Sequence, residues 1–511
     1  MADEMRIVGA PGTGKTFALA HQVTSMVESG RFAPGDFILT SYTRTAATEL
    51  RGRIAVPDEN VATLHALAYR SIGSPPIAEK AELAKQWDDA HRGLPSWQIG
   101  SGTVDDDDGL TMTDAEQGEM LRAYSLARAM LAPPHHPLWG RSEAFAWEWE
   151  AYKEETGSID FTDMLIQAAT FTSALTQPVL IVDEAQDLTP LQWFLVRQWG
   201  AAAQVFIVAG DPAQAVYSFA GARPDEMLTP IAHQRMLPLS YRLPATVQAH
   251  AERWLVRHSG SLTVGREYRP RDATGSVRGL PATWRNPDEL VWDVERRVDE
   301  GRSVMVLASC AYMLAPTLAA LRERGLPFAN RWRTSNGAWN PLGARARGAL
   351  RTADRVLAYL RGEVKHWPEL LRADVYLWRG AKKMVDEAGW DPDLLKPEYR
   401  ALYDAGDPLL LLTGGFAKAQ RPVEYAVRLA ARNIHALTER PLVTIGTAHS
   451  VKGGEADVVY VFPDVSQAAQ EEMEANAAGQ DAAVRLFYVA FTRAREELVL
   501  LDASDLRRAT W

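Results

Sequence analysis

Eight consecutive residues, Gly9 to Thr16, read GAPGTGKT, and that spacing has a chemical use. Glycines let successive backbone N–H groups curl around phosphate oxygens. A helix that starts at the end of such a turn points its N-terminus at the anion. Gly9, Ala10, Pro11, Gly12, Thr13 and Gly14 would form the cradle. Lys15 would reach the β- and γ-phosphates, and Thr16 would offer its hydroxyl to Mg²⁺. A chance match to this pattern in a chain of this length is on the order of one per cent. A second string, LIVDEAQD from Leu180 to Asp187, reads as an apolar strand ending in adjacent carboxylates. Asp183 is placed to hold Mg²⁺ through its water shell, and Glu184 to orient or deprotonate an attacking water. An isolated Asp-Glu pair is usually an ordinary strand-end turn; the upstream loop and the continuation Ala185-Gln186-Asp187 favour hydrolysis.

Positioning these groups requires strands that stop at the same edge. Short apolar runs occur at Met5–Val8, Phe37–Leu39, Val179–Val182 and Val205–Val208, each followed by a polar turn and a helical pattern. This alternation predicts an α/β fold with a parallel sheet covered on both faces. A second set at Val304–Leu307, Leu442–Ile445, Val458–Phe462 and Leu498–Leu501 predicts a second parallel-sheet domain. Strand signals fade between Ser71 and Gly157, where Trp87, Trp97 and Trp147 fall among helix formers, and again between Thr334 and Arg440. Both stretches read as mainly helical insertions. The expected organisation is a first core over 1–70 and 156–238 with an insertion at 71–155, and a second core over 239–333 and 441–511 with an insertion at 334–440. The run Asp105–Asp108 reads as a solvated loop. Pro341–Lys383 carries ten Lys/Arg against four Asp/Glu, which reads as a solvated helical surface, with duplex-backbone contact as the alternative.

A chain of 511 residues, 47% of them hydrophobic, holds several structural units. No apolar stretch reaches the roughly 18–20 residues needed to span a bilayer, and the N-terminus shows no basic-then-apolar signal pattern. Cys310 is the only cysteine, which excludes an internal disulfide and a cysteine-based zinc site and fits a reducing, cytoplasmic setting. The formal net charge of −10 argues against a uniformly basic surface but leaves room for a local phosphate-binding groove.

Four further strings complete an ordered set: VAGDPAQAVYSFAGA (Val208–Ala222), SYRLP (Ser240–Pro244), TAHSVKGGE (Thr447–Glu455) and RLFYVAFTRAR (Arg485–Arg495). With GAPGTGKT and DEAQD they resemble the motifs of the UvrD/Rep family of superfamily 1 helicases. The resemblance implies two RecA-like P-loop domains, ATP and Mg²⁺ as cofactors, and single-stranded DNA and single-strand/duplex junctions as partners. It implies that Gln214 senses the γ-phosphate from the first core, and that Arg242 and Arg493 reach it from the second, as guanidinium forks suit charge on a transferring phosphoryl group. It also implies that Tyr241 stacks on adenine and Glu455 accepts from the ribose.

The same resemblance assigns strand contacts. Tyr42, in TSYTRTAATEL (Thr40–Leu50), would stack on a base, and Thr63 and His65, in VATLHALA (Val61–Ala68), would touch phosphate or sugar. Tyr217 and Phe219 would stack on bases, and His449 would touch the strand from the second core. Core packing is the alternative for each aromatic, and a buried, hydrogen-bonded role for His449. IDFTDML (Ile159–Leu165) resembles the segment that leads back into the first core; Asp160 and Asp163 there read as helix-orienting groups without a catalytic role.

The chain departs from the family pattern at several points. None of the eight residues before Gly9 is glutamine, where the family commonly carries an adenine-reading glutamine segment, so relaxed nucleotide use is expected. Arg44 and Thr45 replace the usual Asn and Lys, Ala220 replaces an Arg, KGGE replaces KGLE, and DAAV ahead of Arg485 carries fewer acids than usual. Short insertions and the lack of a C-terminal extension suggest a minimal motor. The expected activity is ATP-driven unwinding or translocation, 3′ to 5′. A translocase that displaces proteins with little unwinding, and a nucleotide-gated nucleic-acid binding protein, are the alternatives.

Overall fold

A computed structural model describes residues 3–42, 44–99, 118–140, 142–170, 175–259, 267–329, 356–357, 360–361, 373–378, 380–389, 391–405 and 421–509. Asp105–Asp108 and most of Pro341–Lys383 lie outside the described residues.

Two six-stranded sheets organise the chain, and all the pairings between their strands are parallel. The first contains β1 (Glu4–Gly9), β2 (Phe37–Ser41), β3 (Val61–Thr63), β4 (Val179–Asp183), β5 (Val205–Gly210) and β6 (His233–Leu237), in the order β3-β2-β4-β5-β1-β6. The second contains β7 (Ser276–Leu280), β8 (Val304–Ala308), β9 (Phe328–Ala329), β10 (Val443–Thr447), β11 (Ala456–Val461) and β12 (Ala494–Leu501), in the order β7-β12-β11-β8-β10-β9. These are the two RecA-like α/β domains the motifs imply.

Alternation explains why the central strands are apolar throughout. In β4, Val179 and Ile181 enter one core cluster with Leu19, Val23 and Leu39, while Leu180 and Val182 enter another with Leu165, Leu191 and Val196. Both faces are covered by helices, as a parallel sheet requires. The expected runs correspond to β1, β2, β4, β5, β8, β10, β11 and β12. The strands without a sequence signal are β3, β6, β7 and β9, which are the edges of the two sheets.

By contact the chain divides into two compact units, Met1–Thr274 with Glu472–Thr492, and Gly275–Glu471 with Arg493–Trp511. Residues 239–274 and 472–492, expected with the second core, are thus part of the first unit. Trp254, on helix Ala245–His258, shows why: its indole N–H donates to the Val484 carbonyl at 2.9 Å and its ring meets Phe487 and Phe491 edge-on, on helix Ala477–Phe491. The RLFYVAFTRAR string therefore straddles the units, with Arg485 in the first and Arg493 in the second.

The described part of the first insertion is helical, with helices Ala81–Ala90, Glu119–Ala129 and Ser142–Thr156. Trp87 and Trp149 are buried and meet edge-to-face at 4.8 Å, Trp97 packs against them, and Trp147 is 77% exposed. The insertion is joined to the first sheet's helix Phe161–Thr170 by a buried ionic cluster. Lys153, 3% exposed, donates to Asp160 at 2.7 Å and Asp163 at 2.5 Å, and Arg128 bridges the same two carboxylates. Asp160 also accepts the Thr162 and Asp163 backbone N–H groups, so it caps the helix as well as pairing.

Candidate functional site

The glycine loop leaves β1 at the carboxyl edge of the first sheet and enters helix Lys15–Glu28, whose N-cap is Gly14. Gly9 has no room for a side chain: a Cβ would meet Thr13 Oγ1 at 2.5 Å and the Lys15 Cγ at 2.7 Å. Gly12 adopts φ +72°, and a Cβ there would collide with the Arg242 Cβ and the Ser240 hydroxyl. Thr13 Oγ1 donates to the Ala10 carbonyl at 2.8 Å and the Lys15 ammonium to the Gly9 carbonyl at 2.9 Å, which keeps the lysine folded over the loop.

Parallel register brings the second half of the site alongside. β4 ends at Asp183, which is buried, and its Oδ2 lies 3.5 Å from Thr16 Oγ1. A hydroxyl and a carboxylate are hard oxygen donors of the kind Mg²⁺ takes while keeping several waters, so the pair fits that ion. Glu184 follows in left-handed backbone, φ 54°, ψ 35°, which turns it out of the strand direction. Such strain in a non-glycine residue persists where surrounding contacts enforce it.

The enforcing contact is Gln186, which is fully buried. Its amide N–H donates to Glu184 Oε2 at 2.6 Å, and its carbonyl accepts the Asp211 backbone N–H at 2.9 Å. Asp211, also fully buried, accepts from the Gln214 side chain at 2.6 Å and the Ala213 N–H at 3.1 Å. Asp187 accepts from Val216 N–H at 3.4 Å, and Arg485 donates to the Ala215 carbonyl at 3.1 Å and Ser218 Oγ at 3.0 Å. Burial lowers the Arg485 pKa, with Asp481, Asp187 and Asp225 acting against it. Hydrogen bonds thus run from Glu184 to the segment that carries Tyr217 and Phe219. Gln186, Asp187, Asp211 and Arg485 all lie in recognised strings, but the sequence assigned them no role; only their burial and pairing reveal it.

Ser240 was likewise missed. Its hydroxyl donates to the Pro11 carbonyl at 2.7 Å and accepts from Arg242 and Leu243 N–H, while Tyr241 N–H donates to the Gly12 carbonyl at 2.8 Å. The Ser240–Leu243 turn is therefore strapped to the phosphate loop within the first unit. Arg242, expected from the second core, belongs to the same unit as the loop, with its Cβ beside Gly12, and its guanidinium donates to the Thr492 carbonyl at 3.4 Å.

The strand-contact residues divide by exposure. Tyr42 is 8% exposed and its ring lies 5.0 Å from Tyr217, which in turn lies 6.1 Å from Phe219. Phe219 is 56% exposed, so the ladder runs from a buried base to an open tip. Thr63 is buried and caps helix Leu64–Ser71 by accepting from Ala66 N–H. His65 meets Phe161 edge-on, and burial lowers its pKa to about 4. That shift favours the neutral imidazole at physiological pH.

Three of the expected residues lie in the second unit. Arg493 is buried and donates to the Gly454 carbonyl at 3.2 Å, Glu455 is exposed with Arg495 3.3 Å away, and His449 is half-buried after β10. No helix among the described residues is long and apolar enough to cross a membrane.

A parallel sheet with this loop after its first strand and a carboxylate pair at the end of β4, one strand removed from β1 across β5, defines a P-loop protein of the RecA-like class. Two family models narrow that: the UvrD/REP helicase N-terminal domain matches residues 1–233, and the UvrD-like helicase C-terminal domain matches residues 442–501. The chain belongs to the UvrD/Rep family of superfamily 1 helicases. It is 27% identical over 252 residues to the ATP-dependent DNA helicase UvrD2 of Mycobacterium tuberculosis (strain ATCC 25618 / H37Rv), covering 43% of this chain and 36% of that protein. With the ATP-dependent DNA helicase PcrA of Leuconostoc citreum it shares 29% identity over 269 residues, 46% of this chain and 35% of that one. With DNA helicase II of Escherichia coli (strain K12) the identity is 23% over 352 residues, 60% of this chain and 45% of that one. The chain thus spans less than half the length of these relatives.

Proposed function

We propose that the protein is an ATP-dependent DNA helicase or translocase that moves on single-stranded DNA in the 3′ to 5′ direction. The observation that carries this reading is the hydrogen-bonded path from Glu184 through Gln186, Asp211 and Gln214 to the segment bearing Phe219. A carboxylate placed to activate water and an exposed aromatic placed to hold a base then belong to one connected structure. Chemistry at one end has a physical route to the other.

In this reading Lys15 and the loop N–H groups hold the phosphates, Glu184 orients and deprotonates the attacking water, and Gln214 reports on the terminal phosphoryl group. Mg²⁺ held by Thr16 and Asp183 would offset charge on the phosphate oxygens. Arg242 and Arg493 supply guanidinium charge toward the same group, a role supported by their motif positions. Tyr241 stacks on the base of the nucleotide and Glu455 accepts from its ribose. Phe219 stacks on DNA bases with Tyr217 and Tyr42 behind it, a contact that tolerates any sequence because every base has a π-face. His65 and Thr63 contribute as neutral groups, and His449 from the second unit.

Strand displacement tests the proposal on duplexes with a 3′ tail, a 5′ tail or none. ATP-dependent unwinding of the 3′-tailed substrate alone is expected. Unwinding of the 5′-tailed substrate alone would overturn the polarity. Displacement of a protein bound to the single strand, without unwinding of any duplex, would favour the translocase reading.

A further inference from the structure

Helix Glu119–Ala129 of the first insertion ends beside the turn that carries Phe219. Gly221 closes that turn at φ +88°, and a Cβ there would lie 3.0 Å from Met130 Sδ and 3.1 Å from Leu126 Cδ1. Both apolar side chains therefore lie against the glycine, in space that a residue with a side chain would need. Leu126 and Met130 are four residues apart and share one face of the helix. Arg128, midway between them, points to the opposite face, where Asp160 and Asp163 hold its guanidinium. The place where the helix stops is fixed as well. Ala132 N–H donates to the Ala127 carbonyl at 2.9 Å and Leu131 N–H to the Arg128 carbonyl at 3.0 Å, the paired closure that ends a helix in a left-handed residue. That residue is Leu131, at φ 53°, where glycine is customary. Surrounding contacts, not backbone preference, thus hold the stop in place.

We propose that Leu126 and Met130 are positioning residues for Phe219, so that the first insertion sets how firmly the protein holds a single strand. The proposal rests on the reading of Phe219 as a base-stacking residue. The turn's own hydrogen bonds are local: Ala220 N–H donates to the Tyr217 carbonyl and Gly221 N–H to the Ser218 carbonyl, each at 2.9 Å. They give the turn its shape but not its place. Arg485 fixes the start of the turn through Ser218 at 3.0 Å, and Leu126 and Met130 support its end. Phe219 lies between these two supports and is 56% exposed. A stack needs its ring held at a defined height and tilt. With a void under Gly221 the turn would sample more positions, and ordering it again on binding would weaken the grip. Neither Leu126 nor Met130 needs to touch the strand for this.

Fluorescence anisotropy of the full chain with a labelled oligothymidylate tests this in a double-mutant cycle of Met130→Ala and Phe219→Ala, with Met130→Leu as the volume-keeping variant. Phe219→Ala should raise the Kd about fivefold or more, the loss of one base stack. Met130→Ala should raise it about threefold to fivefold when Phe219 is present and by less than about twofold when residue 219 is already alanine. Met130→Leu should bind as the wild type does. Leu126→Ala, cycled in the same way, gives a second reading should Met130→Ala fail to fold. An equal rise in both backgrounds would overturn the proposal, because Met130 would then act apart from Phe219. An unchanged Kd in Met130→Ala would also overturn it, as would a Met130→Leu variant as weak as Met130→Ala. A Phe219→Ala variant that binds as tightly as the wild type would overturn the base-stacking reading itself, and this proposal with it.

Discussion

Glu184 stands in left-handed backbone, with Gln186 holding its carboxylate and, through Asp211, the side chain of Gln214. Two substitutions separate chemistry from positioning. Glu184→Gln should lower kcat by about 10²–10⁴-fold, the range for a general base, with little change in nucleotide KM. Gln186→Ala keeps the carboxylate but frees it, so kcat should fall less, by about tenfold, and stimulation by single-stranded DNA should weaken with it. An ATPase titration with and without an oligonucleotide distinguishes the two. For the strand, Phe219→Ala should cost roughly 1–3 kcal/mol of single-strand affinity, one base stack, while Tyr42→Phe should change it little because that ring is buried. Fluorescence anisotropy with a labelled oligonucleotide reads both. The low pKa of His65, about 4 through burial, adds that His65→Gln should leave the pH dependence of DNA binding unaltered from about pH 5.5 to 8.

At the scale of elements, sequence revealed what is apolar and continuous and missed what is short or at an edge. β1, β2, β4 and β5 are legible because both faces of a central parallel strand are buried. β6 reads HQRML and is largely exposed, and β3 and β9 have three and two residues, too few for a periodic signal. The phosphate loop was legible for a different reason: glycines, a lysine and a threonine at fixed spacing have few other uses. Gln186, Asp211, Ser240 and Arg485 were not, because their roles depend on partners distant in the chain. The same holds for the buried cluster joining the first insertion to the sheet. Lys153→Met would leave Arg128 as the one cation bridging Asp160 and Asp163 among the described residues, and should destabilise the first unit by less than the ~3–5 kcal/mol of a fully broken buried pair, read as a lowered thermal midpoint. In the second unit, burial opposes ionisation of Asp293, but hydrogen bonds from Arg296, Tyr460 and Arg278 outweigh it and hold the pKa at about 2. A depressed carboxylate stabilises the fold above its ordinary pKa, and that contribution is lost as pH falls from near 4 toward 2. Asp293→Asn should abolish this part of the acid-side loss, as followed by circular dichroism.

For the whole molecule, contact divides the chain at Thr274 and again within the RLFYVAFTRAR string, between Thr492 and Arg493. Sequence patterning placed the boundary earlier, near residue 239, at the start of the SYRLP string. Helix Ala477–Phe491 shows the cost of that assumption, since its partner is helix Ala245–His258 and neither carries a mark of the sheet it serves. One string thus carries Arg485, which grips the segment beside Phe219, and Arg493, which starts the return into the second sheet. Arg493→Ala should lower kcat by orders of magnitude if its guanidinium acts on the phosphoryl group, while Arg485→Ala should loosen DNA stimulation more than basal turnover.

ATP hydrolysis measured with and without single-stranded DNA, in the wild type and in Lys15→Ala, bears most directly on the central claim that one connected site joins phosphate chemistry to a base-stacking surface. Turnover in the wild type should rise at least tenfold with the oligonucleotide, and Lys15→Ala should be inactive in both conditions while still binding DNA. Wild-type turnover indifferent to single-stranded DNA, or hydrolysis that survives the loss of Lys15, would contradict it.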